Sequence, residues 1–161
     1  MDFSELTKAA GHKYASKKPD GKGGWIYRYT RPGSSRTHVE ITEEDSPLDY
    51  KTRADVKRLS LRDPSAPQAA PTLYHEGSNV GFVDYSTRSS SRGEVVDIHY
   101  MSVRDDQRGQ GHGRKLVEAL YDKFSGAGEI DWGKVSSDAA EKLYQERRAS
   151  QGGPRTYGKI W

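Results

Sequence analysis

The chain has 161 residues, enough for one domain, but only 32% of them are hydrophobic and the mean hydropathy is −0.97. We therefore expect a small core and long stretches of surface or loop. The net charge of +3 is too small by itself to indicate a nucleic-acid partner, and the absence of cysteine excludes disulfides, a thiol nucleophile and cysteine-based metal sites. No apolar run has the length of a signal-peptide core or a membrane span, so we expect a soluble, cytoplasmic protein.

The first 35 residues form a basic segment that is rich in aromatic residues. Residues 1–10 have the apolar spacing of a short helix, and residues 25–29 have the composition of a strand. The turn residues before that strand predict a hairpin with the region of Tyr14. Positive charges interleave with aromatic rings across residues 12–33, an arrangement that can hold a nucleic-acid strand. The alternative is a solvated hairpin whose rings pack on the rest of the domain.

The next segment is polar, and its patterns predict short elements. Residues 37–41 resemble a strand, residues 42–47 an acidic break, and residues 50–61 a short helix with many charges. Residues 63–71 predict a loop, because three of them are prolines, which cannot donate to a strand ladder.

The second half of the chain alternates strand and helix patterns. It predicts two strands joined by a hairpin turn, a polar tip, a third strand, and then helix, strand, helix and strand. In chain order these elements cover residues 72–75, 77–79, 80–86, 87–93, 94–103, 116–124, 129–133, 138–148 and 157–161. The strand at 129–133 is expected to lie parallel to the strand at 94–103, because a strand, a helix and a strand form a crossover unit.

The turn between the third strand and the helix is dense in glycine and positive charge. Its residues are Arg108, Gly109, Gln110, Gly111, His112, Gly113, Arg114 and Lys115. The first N–H groups of a helix have no partner inside it, and glycine lets the backbone approach a phosphate closely. The turn therefore predicts an anion site. The Walker loop and the dinucleotide fingerprint both fail, because each would need a glycine where Arg114 stands.

Two motifs carry a resemblance to a known family. The run Arg108-Gly109-Gln110-Gly111-His112-Gly113 resembles the acetyl-coenzyme A loop R/Q-x-x-G-x-G/A of the GNAT N-acetyltransferase superfamily. Residues 137–144, SDAAEKLY, resemble the N-x-x-A-x-x-L-Y motif of the same superfamily, with Ser137 in place of asparagine. The resemblance covers residues 72–144 and leaves the two ends of the chain uncovered.

The resemblance implies a fold and a division of the chain. The implied fold is α/β (α+β), a mixed and mostly antiparallel sheet flanked by helices, with a βαβ core that binds acetyl-CoA. We expect a single acyltransferase domain over residues 1–161, with a basic aromatic extension at 1–35 and the acetyl-CoA-binding core at 72–148.

The resemblance also implies the site. Acetyl-CoA would be the cofactor, and an amine acceptor would attack its thioester directly. The implied cofactor-binding residues are Met101, Ser102, Val103, Arg108, Gly109, Gln110, Gly111, His112, Gly113, Arg114, Lys115 and Ser137. Tyr144 occupies the position of the general acid that donates to the coenzyme A sulfur. Asp97 has the spacing of the glutamate base in histone-type members, and His99 is the rival base. The alternative is that both line the cleft and bulk water takes the proton.

The acceptor and the partners stay open. The acceptor could be a small polyamine or antibiotic, a protein lysine or N-terminus, or an amine on a modified nucleic acid, and Asp84, Glu94 and Asp97 favour a cationic one. A second hypothesis is a non-catalytic coenzyme A-fold module that binds nucleic acid or a partner protein through the basic N-terminal segment. Pairing of sheet edges would give an oligomer. No metal is predicted, because the five histidines lack metal-ligand spacing. The Lys- and Tyr-rich start also resembles some bacteriophage proteins, whose compartment would be the host cytoplasm.

Overall fold

A computed structural model describes residues 15–21, 25–30, 37–52, 54–72, 74–135, 137–150 and 152–160. The strands within these residues are β1 Ala15–Pro19, β2 Trp25–Thr30, β3 Thr37–Asp45, β4 Lys57–Arg62, β5 Asn79–Ser90, β6 Gly93–Val103, β7 Glu129–Val135 and β8 Arg155–Ile160. The helices are a 3-10 helix Asp105–Gln107, α1 His112–Lys123 and α2 Asp138–Ala149. The predicted helix at 1–10 and the predicted pairing at Tyr14 lie outside the described residues.

All of these strands join one sheet, whose spatial order follows the chain from β1 to β8. The neighbours from β1 to β6 pair antiparallel, whereas β7 lies parallel to both β6 and β8. Parallel neighbours need a crossover connection, and α1 and α2 supply the two that this sheet requires. The predicted fold class, a mixed and mostly antiparallel sheet with flanking helices and a βαβ unit, is confirmed. Neither helix in the described part of the chain has the length and apolarity needed to cross a membrane.

The hydrophobic core lies between α1 and the sheet face that α1 covers. α1 contacts β4, β5 and β6. Leu116 and Leu120 of α1, Leu59 and Leu61 of β4 and Val83 of β5 belong to one buried cluster. Complete burial of one such side chain stabilises the fold by about 1.5–3 kcal/mol. The core therefore fixes α1, and with it the glycine turn that precedes α1, against the middle of the sheet.

The N-terminal hairpin is part of this sheet. Tyr27 and Tyr29 of β2 are 1% and 2% exposed and belong to the core cluster, so their rings are not available for stacking on a nucleic acid. The Lys17 ammonium lies 3.1 Å from the Asp122 carboxylate on α1, which also accepts a hydrogen bond from the Tyr27 hydroxyl at 3.0 Å. Tyr27 and Tyr29 thus pack on the domain, as in the second of the two alternatives above, whereas Trp25 is 40% exposed.

Two predictions in the polar segment are wrong. The acidic break at 42–47 is mostly strand, because the Glu43 carboxylate accepts hydrogen bonds from side chains of β5 and α1 and its charge is compensated within the sheet. The short helix at 50–61 is an irregular segment followed by β4. The charged residues of this segment did not indicate a buried strand. The Arg58 guanidinium is nevertheless buried in β4, because it forms a bidentate pair with Asp84 at 2.7 and 3.0 Å.

The predicted strand at 72–75 is also wrong for its described residues, because Thr72, Tyr74 and His75 lie in no strand and Thr72 is hydrogen-bonded to His75. The Thr72 N–H donates to the His75 carbonyl at 2.9 Å, and the His75 N–H donates to the Thr72 hydroxyl oxygen at 2.9 Å. β5 runs on to Ser90, so the predicted polar tip at 87–93 is shorter than expected. The later elements are confirmed in type and approximate position: the predicted strands at 94–103, 129–133 and 157–161 correspond to β6, β7 and β8, and the helix at 138–148 to α2.

Candidate functional site

The glycine turn leads into a helix N-terminus that no side chain caps. Gly109 and Gly111 have φ of 80° and 79°, a left-handed conformation that costs other residues about 1 kcal/mol or more. Gly111 is the N-cap of α1, and the first turn of α1 contains no acidic residue. The first turn of α1 therefore lacks a capping side chain, and its N–H groups point out of the end of the helix. An anion placed there would meet these donors and the positive end of the helix dipole.

The N-terminus of α2 is different. The Ser137 hydroxyl oxygen accepts a hydrogen bond from the Ala140 N–H at 3.1 Å, and the first turn contains Asp138 and Glu141. Ser137 was predicted to bind the cofactor, and the structure gives its hydroxyl a capping role at the rim of the gap described below. Of the two α-helices in the described residues, α1 is the one whose N-terminus is open to an anion.

The three predicted cations have three different environments. Arg108 is exposed beside the turn, and its guanidinium lies 2.9 Å from Asp105. Arg114 pairs with Glu146 of α2 at 2.6 Å, which ties the first turn of α1 to the second helix.

The structure corrects the prediction for Lys115. Its side chain is 7% exposed and lies over the Tyr29 ring at 5.6 Å, and its N–H donates to the Gly111 carbonyl at 3.1 Å. Helical periodicity places Lys115 on the core face of α1, and burial lowers the pKa of its ammonium. Lys115 therefore does not present its charge to the turn.

The other residues of the turn shape it. The Gln110 amide donates to the Gln107 side-chain oxygen at 3.3 Å, and His112 is buried at the start of α1. A Cβ on Gly113 would lie 3.3 Å from the Leu143 side chain of α2. This last glycine of the motif thus permits the close approach of the two helices.

A gap opens between β6 and β7 beside this turn. The two strands pair only through Val95 with Glu129, Val96 with Ile130, and Asp97 with Asp131, and the described residues show no further pairing between them. Beyond these pairs a cavity of about 130 Å³ separates the strands. Its lining residues are Ile98, His99, Tyr100, Met101, Trp132, Lys134, Val135, Ser137 and Ala140.

The gap leaves one edge of β6 without a strand partner. Met101 lines the gap, and Ser102 and Val103 follow it toward the glycine turn. An unpaired strand edge can hold an extended amide chain by main-chain hydrogen bonds. The structure thus brings together the predicted residues 101–103 and the turn at the start of α1.

A β-bulge in β6 places His99 at the gap. Asp84 pairs with Tyr100 and Tyr85 pairs with Ile98, so His99 is the extra residue without a cross-strand partner. The His99 Nε2 lies 2.7 Å from the Ser86 hydroxyl. Bulges of this kind re-aim side chains and are frequent beside active sites.

Asp97 is less available than His99. Its carboxylate accepts a hydrogen bond from the Arg88 guanidinium at 2.9 Å, and Arg88 also lies 3.9 Å from Asp131. The charge of Asp97 is therefore already compensated. The two candidate bases share one strand, but only His99 lines the gap.

A buried network that the sequence did not predict supports His99. Asp84 is 0% exposed and accepts hydrogen bonds from Arg58, from the Tyr50 hydroxyl at 2.6 Å and from the Ser46 hydroxyl at 2.7 Å. Burial, and then the Asp84 carboxylate, raise the pKa of Tyr50, which therefore keeps its proton. The Tyr50 ring lies 5.1 Å from the His99 ring. The sequence contained one signal for this network. Asp84 lies inside an apolar strand pattern, and a carboxylate that is buried there requires a partner.

Tyr144 lies one layer behind the gap. Its side chain is 2% exposed, and its hydroxyl donates to the Gly158 carbonyl of β8 at 3.4 Å. Its ring packs edge-on against Trp132 with centroids 5.6 Å apart, and Trp132 itself lines the gap. The structure therefore does not bring the Tyr144 hydroxyl together with His99.

Glu118 of α1 provides a test of the electrostatics beneath the site. Its side chain is 4% exposed, and its Oε2 has no hydrogen-bond partner among the described residues. Burial raises its pKa from 4.5 to about 7. The folded state then holds a proton that the unfolded state has lost, so stability falls as pH rises from 4.5 to 7. The loss amounts to about 3 kcal/mol at most.

We expect Glu118→Gln to remove this dependence. Urea unfolding should show that the stability of the parent relative to the variant falls as pH rises from 5 to 7.5, because only the parent carries the raised pKa of Glu118. Glu76→Gln, which alters an exposed acid, is the matched control and should behave as the parent. A stability of the parent relative to the Glu118→Gln variant that rises over this range would contradict the burial of an unpaired carboxylate.

Comparison with known proteins identifies the family of this chain. The profile described as the acetyltransferase (GNAT) family matches residues 34–149. A search of curated proteins finds no match. One similar solved structure is Arabidopsis thaliana NAA60 in complex with a bisubstrate analogue, with a TM-score of 0.44 and 18% identity over 59% of this chain and 61% of that one. Another is ribosomal-protein-alanine N-acetyltransferase from Brucella melitensis biovar Abortus 2308, with a TM-score of 0.43 and 22% identity over 63% of this chain and 66% of that one. This chain spans less than two thirds of either. Since the family profile covers most of the sequence, the chain belongs to the acetyltransferase (GNAT) family.

Proposed function

We propose that the protein transfers an acetyl group from acetyl-CoA to an amine acceptor. The observation that carries this proposal is the gap between β6 and β7, from which β6 runs on through Ser102 and Val103 to the turn before the uncapped N-terminus of α1. The residues present fit a long cofactor with a diphosphate and an amide arm. The amides that follow Gly111, with Arg108 beside them, would hold the diphosphate, and the free edge of β6 at 101–103 would hold the arm. When bound, acetyl-CoA supplies an activated thioester.

The protein's part in the chemistry is to position the groups and to move protons. We propose His99 as the base that removes the proton of the amine, directly or through a water, while the Ser86 hydroxyl holds the opposite ring nitrogen. Acetyl-CoA would supply the acetyl carbon to which the amine nitrogen bonds, with its carbon–sulfur bond as the bond that breaks. The Tyr144 phenol remains the predicted donor of the proton that the sulfur would need.

Replacing Tyr144 with phenylalanine tests this donor. The hydrogen bond from Tyr144 to Gly158 is long, at 3.4 Å, so its loss should change the melting temperature little. Loss of a general acid should lower kcat about a hundredfold. Steady-state kinetics together with thermal unfolding measure the two effects. An unchanged kcat would leave Tyr144 as a packing residue behind Trp132.

The proposed function is tested by a panel of acceptors. Small amines, peptides with free N-termini or lysines, and nucleosides with exocyclic amines are incubated with acetyl-CoA, and free thiol and a mass increase of the acceptor are measured. We expect stoichiometric thiol release and acetylation for one class. If coenzyme A binds but no acceptor in any class gains an acetyl group, the transferase proposal fails.

A further inference from the structure

A larger cavity adjoins the gap on the other face of the sheet from α1. It has a volume of about 590 Å³, within the usual range for small-molecule sites. Its walls come from the segment between β4 and β5 and from the C-terminal part of β6, including Tyr74, His75, Tyr100 and Ser102. Tyr100 also lines the gap, so the two spaces meet at this residue.

The bulge gives this cavity its connection to His99. Ser86 and Phe82 are four residues apart on β5, and they contact His99 and Tyr100 respectively. The consecutive residues His99 and Tyr100 therefore point to the same face of the sheet, as a bulge allows. A molecule seated against Tyr100 would have the imidazole of His99 beside it.

Two aromatic rings at the cavity are exposed to solvent. Tyr74 and Tyr100 are 47% and 44% exposed, and their ring centroids are 5.8 Å apart. Tyr100 is stacked on Phe82 at 5.8 Å, and the Arg58 guanidinium covers Phe82 at 3.6 Å. Phe82 thus packs against the Tyr100 ring from within the protein. The Tyr74 and Tyr100 rings can therefore accept a further ring on the side that faces the cavity.

One arginine holds the cavity in shape. Arg104 donates to the carbonyls of Pro67, Gly77 and Asn79, at 2.6, 3.2 and 3.3 Å. It also pairs with Asp106 at 2.7 Å. These bonds tie the segment that carries Tyr74 to the end of β6. The cavity is therefore formed before any ligand binds.

The carboxylates at the cavity wall are exposed to solvent. Asp106 pairs with Arg104, and Asp105, whose side chain is 91% exposed, lies 2.9 Å from Arg108. Burial lowers the pKa of His75, which favours its neutral form. A ring without charge fits this wall better than a cationic chain, because the described lining residues include no buried carboxylate that would offset the desolvation of a cation.

We propose that this cavity binds the ring of the acceptor, and that the acceptor is an arylalkylamine, a primary amine that a short alkyl chain carries on an uncharged aromatic ring. The inference rests on the proposed function and adds a substrate class to it. The ring stacks on Tyr74 and Tyr100, and the alkyl chain brings the amine past Tyr100 to His99.

The probes are 2-phenylethylamine, 2-cyclohexylethylamine and spermidine, with acetyl-CoA and the full chain. We expect kcat/KM to be about three to ten times higher for the phenyl than for the cyclohexyl compound, because a flat ring stacks on an aromatic pair. Spermidine should be the poorest of the three. Tyr74→Leu should raise KM for 2-phenylethylamine about tenfold while kcat and the coenzyme A affinity stay unchanged. Tyr157→Leu is the matched control, because Tyr157 is 46% exposed on β8 and does not line this cavity.

The outcomes separate the inference from the proposed function. Preferred turnover of spermidine, or equal KM in the parent and Tyr74→Leu, overturns the inference and leaves the transferase standing. If no amine is turned over, calorimetry of 2-phenylethylamine with the free protein decides. Saturable binding that Tyr74→Leu weakens and Tyr157→Leu does not supports the cavity as a ring site. Absence of binding overturns it.

Discussion

Replacing His99 with alanine is expected to lower kcat for amine acetylation about a hundredfold or more. A positioned base contributes a factor of about 10²–10⁴, and His99 is the titratable side chain that the bulge of β6 turns into the gap. Its hydrogen bond to Ser86 is short, at 2.7 Å, so the ring is held in one orientation. Steady-state kinetics with saturating acetyl-CoA measure the effect, and the affinity for coenzyme A should be unchanged.

Asp97→Asn is the matched comparison for the base. The Asp97 carboxylate is neutralised by Arg88 on the half-exposed surface of the sheet, so its removal should change kcat less than about fivefold. A variant with Asp97→Asn as slow as His99→Ala would transfer the role of base to the carboxylate. If both variants keep full activity, bulk water takes the proton and both residues only line the cleft.

Gly111→Ala is expected to weaken coenzyme A binding at least tenfold. Gly111 is the N-cap of α1 with φ of 79°, and alanine there costs about 1 kcal/mol or more in backbone strain. Relief of that strain would turn the first amides of α1 away from the ligand. A Cβ would also stand where the backbone must approach the diphosphate. Calorimetry gives the dissociation constant directly.

Gly21→Ala provides the control for strain alone. Gly21 has φ of 80° in the turn between β1 and β2, and a Cβ there would meet nothing within 4 Å. The Gly21→Ala variant should lose about as much stability as Gly111→Ala but keep the parent's affinity for coenzyme A. Equal weakening in both variants would mean that the loss comes from general destabilisation and not from the turn.

The sequence was informative where the signal is local. The glycine turn, the strand before it and the helix after it follow from neighbouring residues, because glycine spacing and helical periodicity are properties of a short stretch. These local patterns correctly predicted the βαβ unit, whereas the mixed sheet was implied by the resemblance to the GNAT superfamily.

The sequence was misleading where partners are distant in the chain. Arg58 belongs to a buried strand only because Asp84, in β5, neutralises it, and no local pattern reveals that pair. Lys115 follows a run of glycine and arginine, yet its side chain packs over Tyr29 in β2. The position of His99 depends on a register shift between β5 and β6, and a bulge has no composition of its own.

The most direct test of the central claim is an amide-resolved NMR titration of the ¹⁵N-labelled protein with coenzyme A. The claim is that the backbone at the start of α1 holds the diphosphate of the cofactor. We predict the largest shift changes at the N–H signals of Gly111, His112 and Gly113, with smaller changes at Met101 and Val103 along the gap. Saturable binding that leaves these five amides unshifted while others move would contradict the account.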